Sequence, residues 1–176
     1  MLWRRTRHRH AHRTHLRLPT AAAALVCLAG ACSSPPTFDG AVVTEILDGD
    51  TIGVSINDTS VRVRLIGLDT PERGWNREPD ECGALEATIA LQELAPIGST
   101  IDLKRDVVGR DHYDRLLAYV FTTEGIFVNE RLLEIGAGRT MSIAPNTAFE
   151  DRFRRASARA QQQRIGIWGR CEDRNR

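Results

Sequence analysis

Hydrophobic and polar positions change period along the chain. Between residues 41 and 122 apolar residues recur at every second position, or in short runs broken by turn residues, as strands require. Ala41 to Leu47 reads as a strand ending at Asp48-Gly49, Thr51 to Ile56 as its return, and Asn57-Asp58 as the next turn. Val61-Arg62-Val63-Arg64-Leu65-Ile66 alternates apolar with basic, so Arg62 and Arg64 share a face, and the pattern leaves open which of them does more than meet solvent. Gly83 to Leu94 has helical spacing through Leu85, Ile89 and Leu91 or Gln92, and Pro96 with Gly98 stops it. Ser99 to Lys104 and Leu116 to Thr122 are two further strands, joined by the polar loop Arg105 to Asp114. The period then turns helical over Val128 to Gly136 and from Thr147 to about Gln163, where Thr147-Ala148-Phe149-Glu150 has the form of a capping box and Phe153 faces the core. Five strands with about three helices inserted or appended predict a mainly-β, α+β fold: a small five-stranded Greek-key barrel of the OB type.

The first 32 residues do not belong to that pattern. Residues 1 to 18 hold six arginines and four histidines without an acid, and Ala21 to Ala31 is a short apolar run, the form of a secretory signal. Its end, Leu28-Ala29-Gly30-Ala31-Cys32, fits ordinary signal cleavage after Ala-x-Ala and also resembles a lipobox that would place lipid on Cys32. The expected organisation is a signal over 1–32, a tether over 33–40, one domain over 41–170 and a tail over 171–176. An exported protein follows, either secreted or lipid-anchored at the outer face of the cell membrane.

Removing the leader changes the charge. Six of the 24 lysines and arginines lie within it and none of the 23 acids do, which leaves 18 basic residues against 23 acidic ones, a net −5. A partner rich in phosphate must then be met by local arginines or a bound cation, not by a general basic field. His112 is the single histidine left, which argues against His-rich zinc sites and against a Ser-His-Asp apparatus, so a metal would be held by oxygen. In an exported chain Cys82 and Cys171 are the natural disulfide, worth ~4 kcal/mol in the chain-entropy account; two separate buried thiols are the alternative.

Candidate chemistry lies in three segments: Asp48-Gly49-Asp50-Thr51, then Arg64 through Asp69-Thr70-Pro71-Glu72, then Asp111-His112-Tyr113-Asp114-Arg115. Singly, the first reads as a hairpin turn and the second as a helix start. Together they combine carboxylates suited to a hard divalent cation with arginines whose forks match phosphate oxygens, which metal-assisted phosphodiester cleavage requires.

These motifs, in this order and with a terminal Ile167-Trp168, resemble the staphylococcal (micrococcal) nuclease, or thermonuclease-like, family from about Val42 to Trp168. The resemblance implies one Ca2+ ion and hydrolysis of DNA and RNA to 3′-phosphate ends. It implies Asp50, Asp69 and the Thr70 carbonyl as metal ligands, with Asp48 either serving the ion through water or shaping the turn. Glu72 would orient or deprotonate the attacking water, and Arg64 and Arg115 would bind the phosphate. Tyr113, with His112 beside it, would stack a base or pack beside a terminal phosphate, which suits single strands. Trp168 is expected in the core, and Trp75 in a loop within reach of substrate. A monomer is expected. The chain departs from the family at Asp114, where a glycine is usual, and at Met141-Ser142-Ile143-Ala144, where tyrosines are usual. The alternative is therefore a catalytically weak OB module that only binds nucleic acid.

Overall fold

The computed structural model describes residues 37–74, 76 and 78–171; the leader, Cys32, Trp75 and the residues after Cys171 lie outside them. Five strands close a barrel in the order β1 (Thr37–Ile46), β2 (Thr51–Ile56), β3 (Thr59–Leu65), β6 (Leu116–Thr122), β5 (Thr100–Lys104). All neighbours are antiparallel except β3 and β6, which run parallel with Arg64 opposite Leu117. The expected OB-type barrel is present. Inward positions Val43, Ile52, Val54, Val63, Leu65, Ile101, Leu103 and Val120 are essentially inaccessible and fill its core. Asn57 and Asp58 both take positive φ, as a tight two-residue hairpin demands, and Ile56 pairs with Thr59 across them.

The structure corrects the expected boundaries in several places. β1 begins at Thr37, so residues 37–40 are barrel and not tether: Thr37 and Phe38 pair with Lys104 and Leu103, Phe38 packs on the core, and the Gly40 N–H donates to Asp102 Oδ1 at 3.0 Å. A second sheet, unforeseen, joins β4 (Gly67–Asp69) to β7 (Arg139–Met141). Three-residue strands give too little alternation to be read from sequence.

Helix α1 (Ala84–Leu94) buries the face that carries Ala84, Ala87 and Leu91, which leaves Leu85 and Ile89 exposed, and Gly49 of the site loop lies close against Ala87. α2 (Val128–Glu134) matches its expectation, and α4 (Ile167–Arg170) is an added short turn carrying the buried Trp168. α3 (Glu150–Gln162) starts three residues later than the capping box predicts, without a side-chain cap. The Ala148 N–H instead donates to Asp106 Oδ2, which also accepts the Tyr119 hydroxyl at 2.7 Å. Cys82 and Cys171 form a disulfide, as expected. Among the described residues no helix is long and apolar enough to cross a membrane.

Two features hold the β3–β4 corner that carries the site. Gly67 has φ +87°, and a Cβ there would sit 2.3 Å from the Phe153 ring, so only glycine lets the chain turn under α3. Asn129, fully buried on α2, accepts the Val120 N–H at 2.8 Å and donates to the Ile66 carbonyl at 2.9 Å. Truncating it strands both partners in the core. Asn129→Ala should therefore lose about 3 kcal/mol of stability in urea unfolding; a loss below about 1 kcal/mol would show that water or relaxation replaces the amide.

Candidate active site

The site starts with the loop between β1 and β2. Asp48 Oδ1 accepts the Asp50 N–H at 2.9 Å, tightening the loop. Gly49 presses it against the rest of the fold: a Cβ there would lie 2.6 Å from Ala87 Cβ and 2.7 Å from Thr70 Oγ1. Asp50 thus reaches Thr70, its Oδ2 accepting the Thr70 N–H at 2.9 Å and hydroxyl at 3.2 Å, while its Oδ1 accepts from Thr51 Oγ1 at 3.1 Å.

Arg64 enters from β3. Its Nη1 lies 2.9 Å from Asp50 Oδ2 and its Nη2 2.9 Å from Asp69 Oδ1, and Nη1 also donates to the carbonyls of Leu65 and Leu68. Of the two arginines on that strand, Arg64 is the buried site residue and Arg62 is exposed to solvent.

Glu72 stands on the exposed loop beyond Pro71. Its N–H donates to Glu81 Oε2 and its carbonyl accepts the Glu81 N–H, both at 3.0 Å. The disulfide at Cys82 anchors the far end of this loop to Cys171.

Asp48, Asp50, Asp69 and Glu72 therefore share one guanidinium, an excess of negative charge. Burial, reinforced by Asp48, pushes the Asp50 carboxyl up to about 7 against the opposing pull of Arg64. Burial, then Asp48, also raises Glu72 above the usual range.

Among the described residues no three His, Cys, Asp and Glu side chains converge into a ready cage. Two carboxylates already bridged by a cationic group, with acids crowded around them, are nevertheless a donor set that a hard cation fits. Asp50 and Asp69 could supply the charged oxygens, and the Thr70 carbonyl would be the neutral one that the family resemblance implies.

A cleft of about 310 Å³ runs from Arg64 to Arg110, Asp111, His112 and Arg115, walled by Leu65, Val108, Leu117, Met141 and Ile143. Asp111, which sequence reasoning passed over, organises its far end. Its Oδ2 accepts Arg115 Nε at 2.7 Å and its Oδ1 the amides of Arg115 and Tyr113. Burial raises the Asp111 carboxyl, but these bonds to Arg115 outweigh it and hold the group below the usual range. An Asp opening a tight turn was the available signal.

Asp114 takes φ +63°, the conformation that a glycine would adopt freely, and Arg110 binds both its carbonyl and its carboxylate. The added acid beside Arg115 thus has a cation of its own. Tyr113 is 70% exposed and lies against His112, the ring centroids 3.8 Å apart and the planes tilted by 43°, with the Arg115 guanidinium 5.4 Å from its ring. Asn146, also missed, ties the two cleft loops together by accepting the Val108 N–H and donating to the Val108 carbonyl, both at 2.8 Å.

Known proteins share this arrangement's sequence. The family described as Staphylococcal nuclease homologue matches residues 62–170. The chain belongs to the staphylococcal nuclease family. It is 32% identical over 126 residues to the thermonuclease of Staphylococcus hyicus, covering 72% of this chain and 73% of that one. It is similar at 35% identity over 139 residues to the SPbeta prophage-derived endonuclease YokF of Bacillus subtilis, 76% of this chain but 44% of YokF, and at 36% over 129 residues to the endonuclease YncB of the same organism, 70% of this chain and 59% of YncB. The family match begins at Arg62, so it contains Arg64, Asp69, Glu72 and Arg115 and leaves Asp48 and Asp50 outside it.

The raised Asp50 carboxyl gives a pH signature. An acid that holds its proton more tightly when folded contributes stability that is present below its unfolded pKa and lost as pH rises through the folded one. In chelator, the urea midpoint of the protein should fall relative to Asp50→Asn between about pH 4 and pH 8. Parallel profiles would show that Asp50 is already ionised throughout.

Proposed function

We propose that the protein is an exported, calcium-dependent nuclease that hydrolyses phosphodiester bonds in DNA and RNA and leaves 3′-phosphate ends. The observation that carries this reading is Arg64 held between Asp50 and Asp69 at one end of a cleft whose other end is Arg115. Thermonuclease and endonuclease relatives support it.

Asp50, Asp69 and the Thr70 carbonyl are the residues that would hold the ion. Bound there, calcium supplies Lewis acidity and a template for a phosphate oxygen. Arg64, which bridges those same two carboxylates, would turn guanidinium N–H groups to the phosphate. Arg115, fixed at Nε by Asp111, lines the cleft and is suited to the same task. Both arginines match charge that grows on the phosphate oxygens during attack, so they act on turnover more than on binding. Glu72, its proton affinity raised by partial burial and then by Asp48, is suited to accept the proton of the attacking water.

The cleft rim favours unpaired bases. Tyr113, Val107 and Ile143 stand well out into solvent there, offering apolar and aromatic surface to bases that a duplex keeps stacked. Aliphatic side chains at 141–144 stack less well than tyrosines, which points to a higher KM on short substrates. The basic leader and its Ala-x-Ala-Cys end support export, and the intact mass of the mature N-terminus separates plain cleavage from lipid at Cys32.

The deciding measurement is cleavage of single-stranded DNA and RNA by the protein with calcium or chelator. Calcium-dependent cutting is expected, with Glu72→Ala slower by about 10³-fold and Arg64→Gln or Arg115→Gln lower in kcat by about 100-fold or more. Salt-sensitive binding without cleavage would instead make this a nucleic-acid-binding module.

A further inference from the structure

We infer that Arg139 is a third phosphate-binding arginine, one that takes a backbone phosphate next to the scissile one and so favours longer strands; this rests on the nuclease reading above.

The β4–β7 ladder places it. Asp69 pairs with Arg139 and Gly67 with Met141, and directly paired residues of antiparallel strands project on the same face. Met141 lines the cleft together with Arg64 and Arg115, whereas Thr140 and Ser142 line a separate pocket, and Gly67, which has no side chain, borders both. The cleft face therefore continues for two residues, about 7 Å of strand, from Met141 to Arg139. That step is comparable with the spacing of successive phosphates in an extended strand.

Gly138 locks the register: a Cβ there would lie 2.4 Å from the Asp69 carbonyl oxygen. Arg139 is exposed, and among the described residues it makes no ion pair, although Asp69 sits directly across from it and gives its Oδ1 to Arg64. Its guanidinium is instead held 4.2 Å from the Trp168 ring. Stacking of this kind fixes the fork without using up its N–H donors, which remain available to an anion. In a mature chain carrying excess negative charge, an exposed, oriented and uncompensated arginine beside the ion-binding carboxylates is suited to a polyanion.

The test compares the full chain with Arg139→Gln and Arg139→Lys, using Arg62→Gln as a control that removes an equal charge elsewhere. Two readouts are taken: KM and kcat with calcium on a thymidine dinucleotide and on a ten-nucleotide oligothymidylate, and the salt dependence of ten-mer binding in chelator. Arg139→Gln should raise KM on the ten-mer about fivefold, more than on the dinucleotide. It should also flatten the binding slope against log salt by about 0.7, the value for one phosphate contact on a single strand. Arg139→Lys should fall between the wild type and Arg139→Gln, and Arg62→Gln should match the wild type. Equal losses on both substrates, or a lower melting temperature with an unchanged salt slope, would make Arg139 only a prop for Trp168 and overturn the inference. If the wild type cuts nothing, the nuclease reading fails, and the salt slope in chelator still decides the role of Arg139.

Discussion

A buried carboxylate that cannot be left alone organises this protein. Asp50 has almost no contact with solvent, and removing an ionised carboxyl from water is costly unless the fold supplies donors and a counter-charge. The fold supplies the Thr70 amide and hydroxyl, the Thr51 hydroxyl and Arg64. Each comes from a different segment, so the β1–β2 loop, the end of β3 and the chain after β4 must all be in register before Asp50 is satisfied. The close approach of Gly49 to Ala87 and Thr70, and the turn at Gly67 beneath Phe153, are the steric conditions for that convergence.

The satisfaction is incomplete, and the incompleteness is chemically useful. Burial, with like charge from Asp48 added to it, outweighs the pull of Arg64, which is why Asp50 and Glu72 both hold protons more tightly than free carboxyls. Positive charge brought to these carboxylates, whether a proton or a guanidinium, relieves the same repulsion. Stability is given up locally for a place where positive charge, from a cation or an arginine, is welcome.

The far end of the cleft follows the opposite logic. Arg115 is pinned by Asp111, and Asp114 is answered by Arg110, so this loop is balanced in charge and organised by its own turn. Asn146 then clips the loop to the segment before α3, tying the two walls of the cleft together. An acid in place of the usual glycine is tolerated because Asp accepts positive φ more readily than most residues and because its charge has a neighbour to spend itself on.

Much of this was legible from local pattern. The alternation of Val61 to Leu65, the Asn57-Asp58 turn and the β5 and β6 runs specify strands because side-chain period and turn chemistry are properties of neighbouring residues. The candidate segments were visible for the same reason: Asp50, Arg64, Asp69, Glu72 and Arg115 stand out by residue type, Thr70 enters only through the family resemblance, and the compartment argument paired Cys82 with Cys171. What lay beyond the sequence depended on partners far along the chain. The start of β1 at Thr37 is decided by pairing with Lys104, the face that α1 turns inward by packing of Ala84, Ala87 and Leu91, and the late start of α3 by Asp106 taking the Ala148 amide. Which of Arg62 and Arg64 is buried, and which carboxylates it bridges, likewise follows from contacts across strands. Local propensity acts over a few residues, whereas burial and charge pairing are settled only when distant segments compete for the same space.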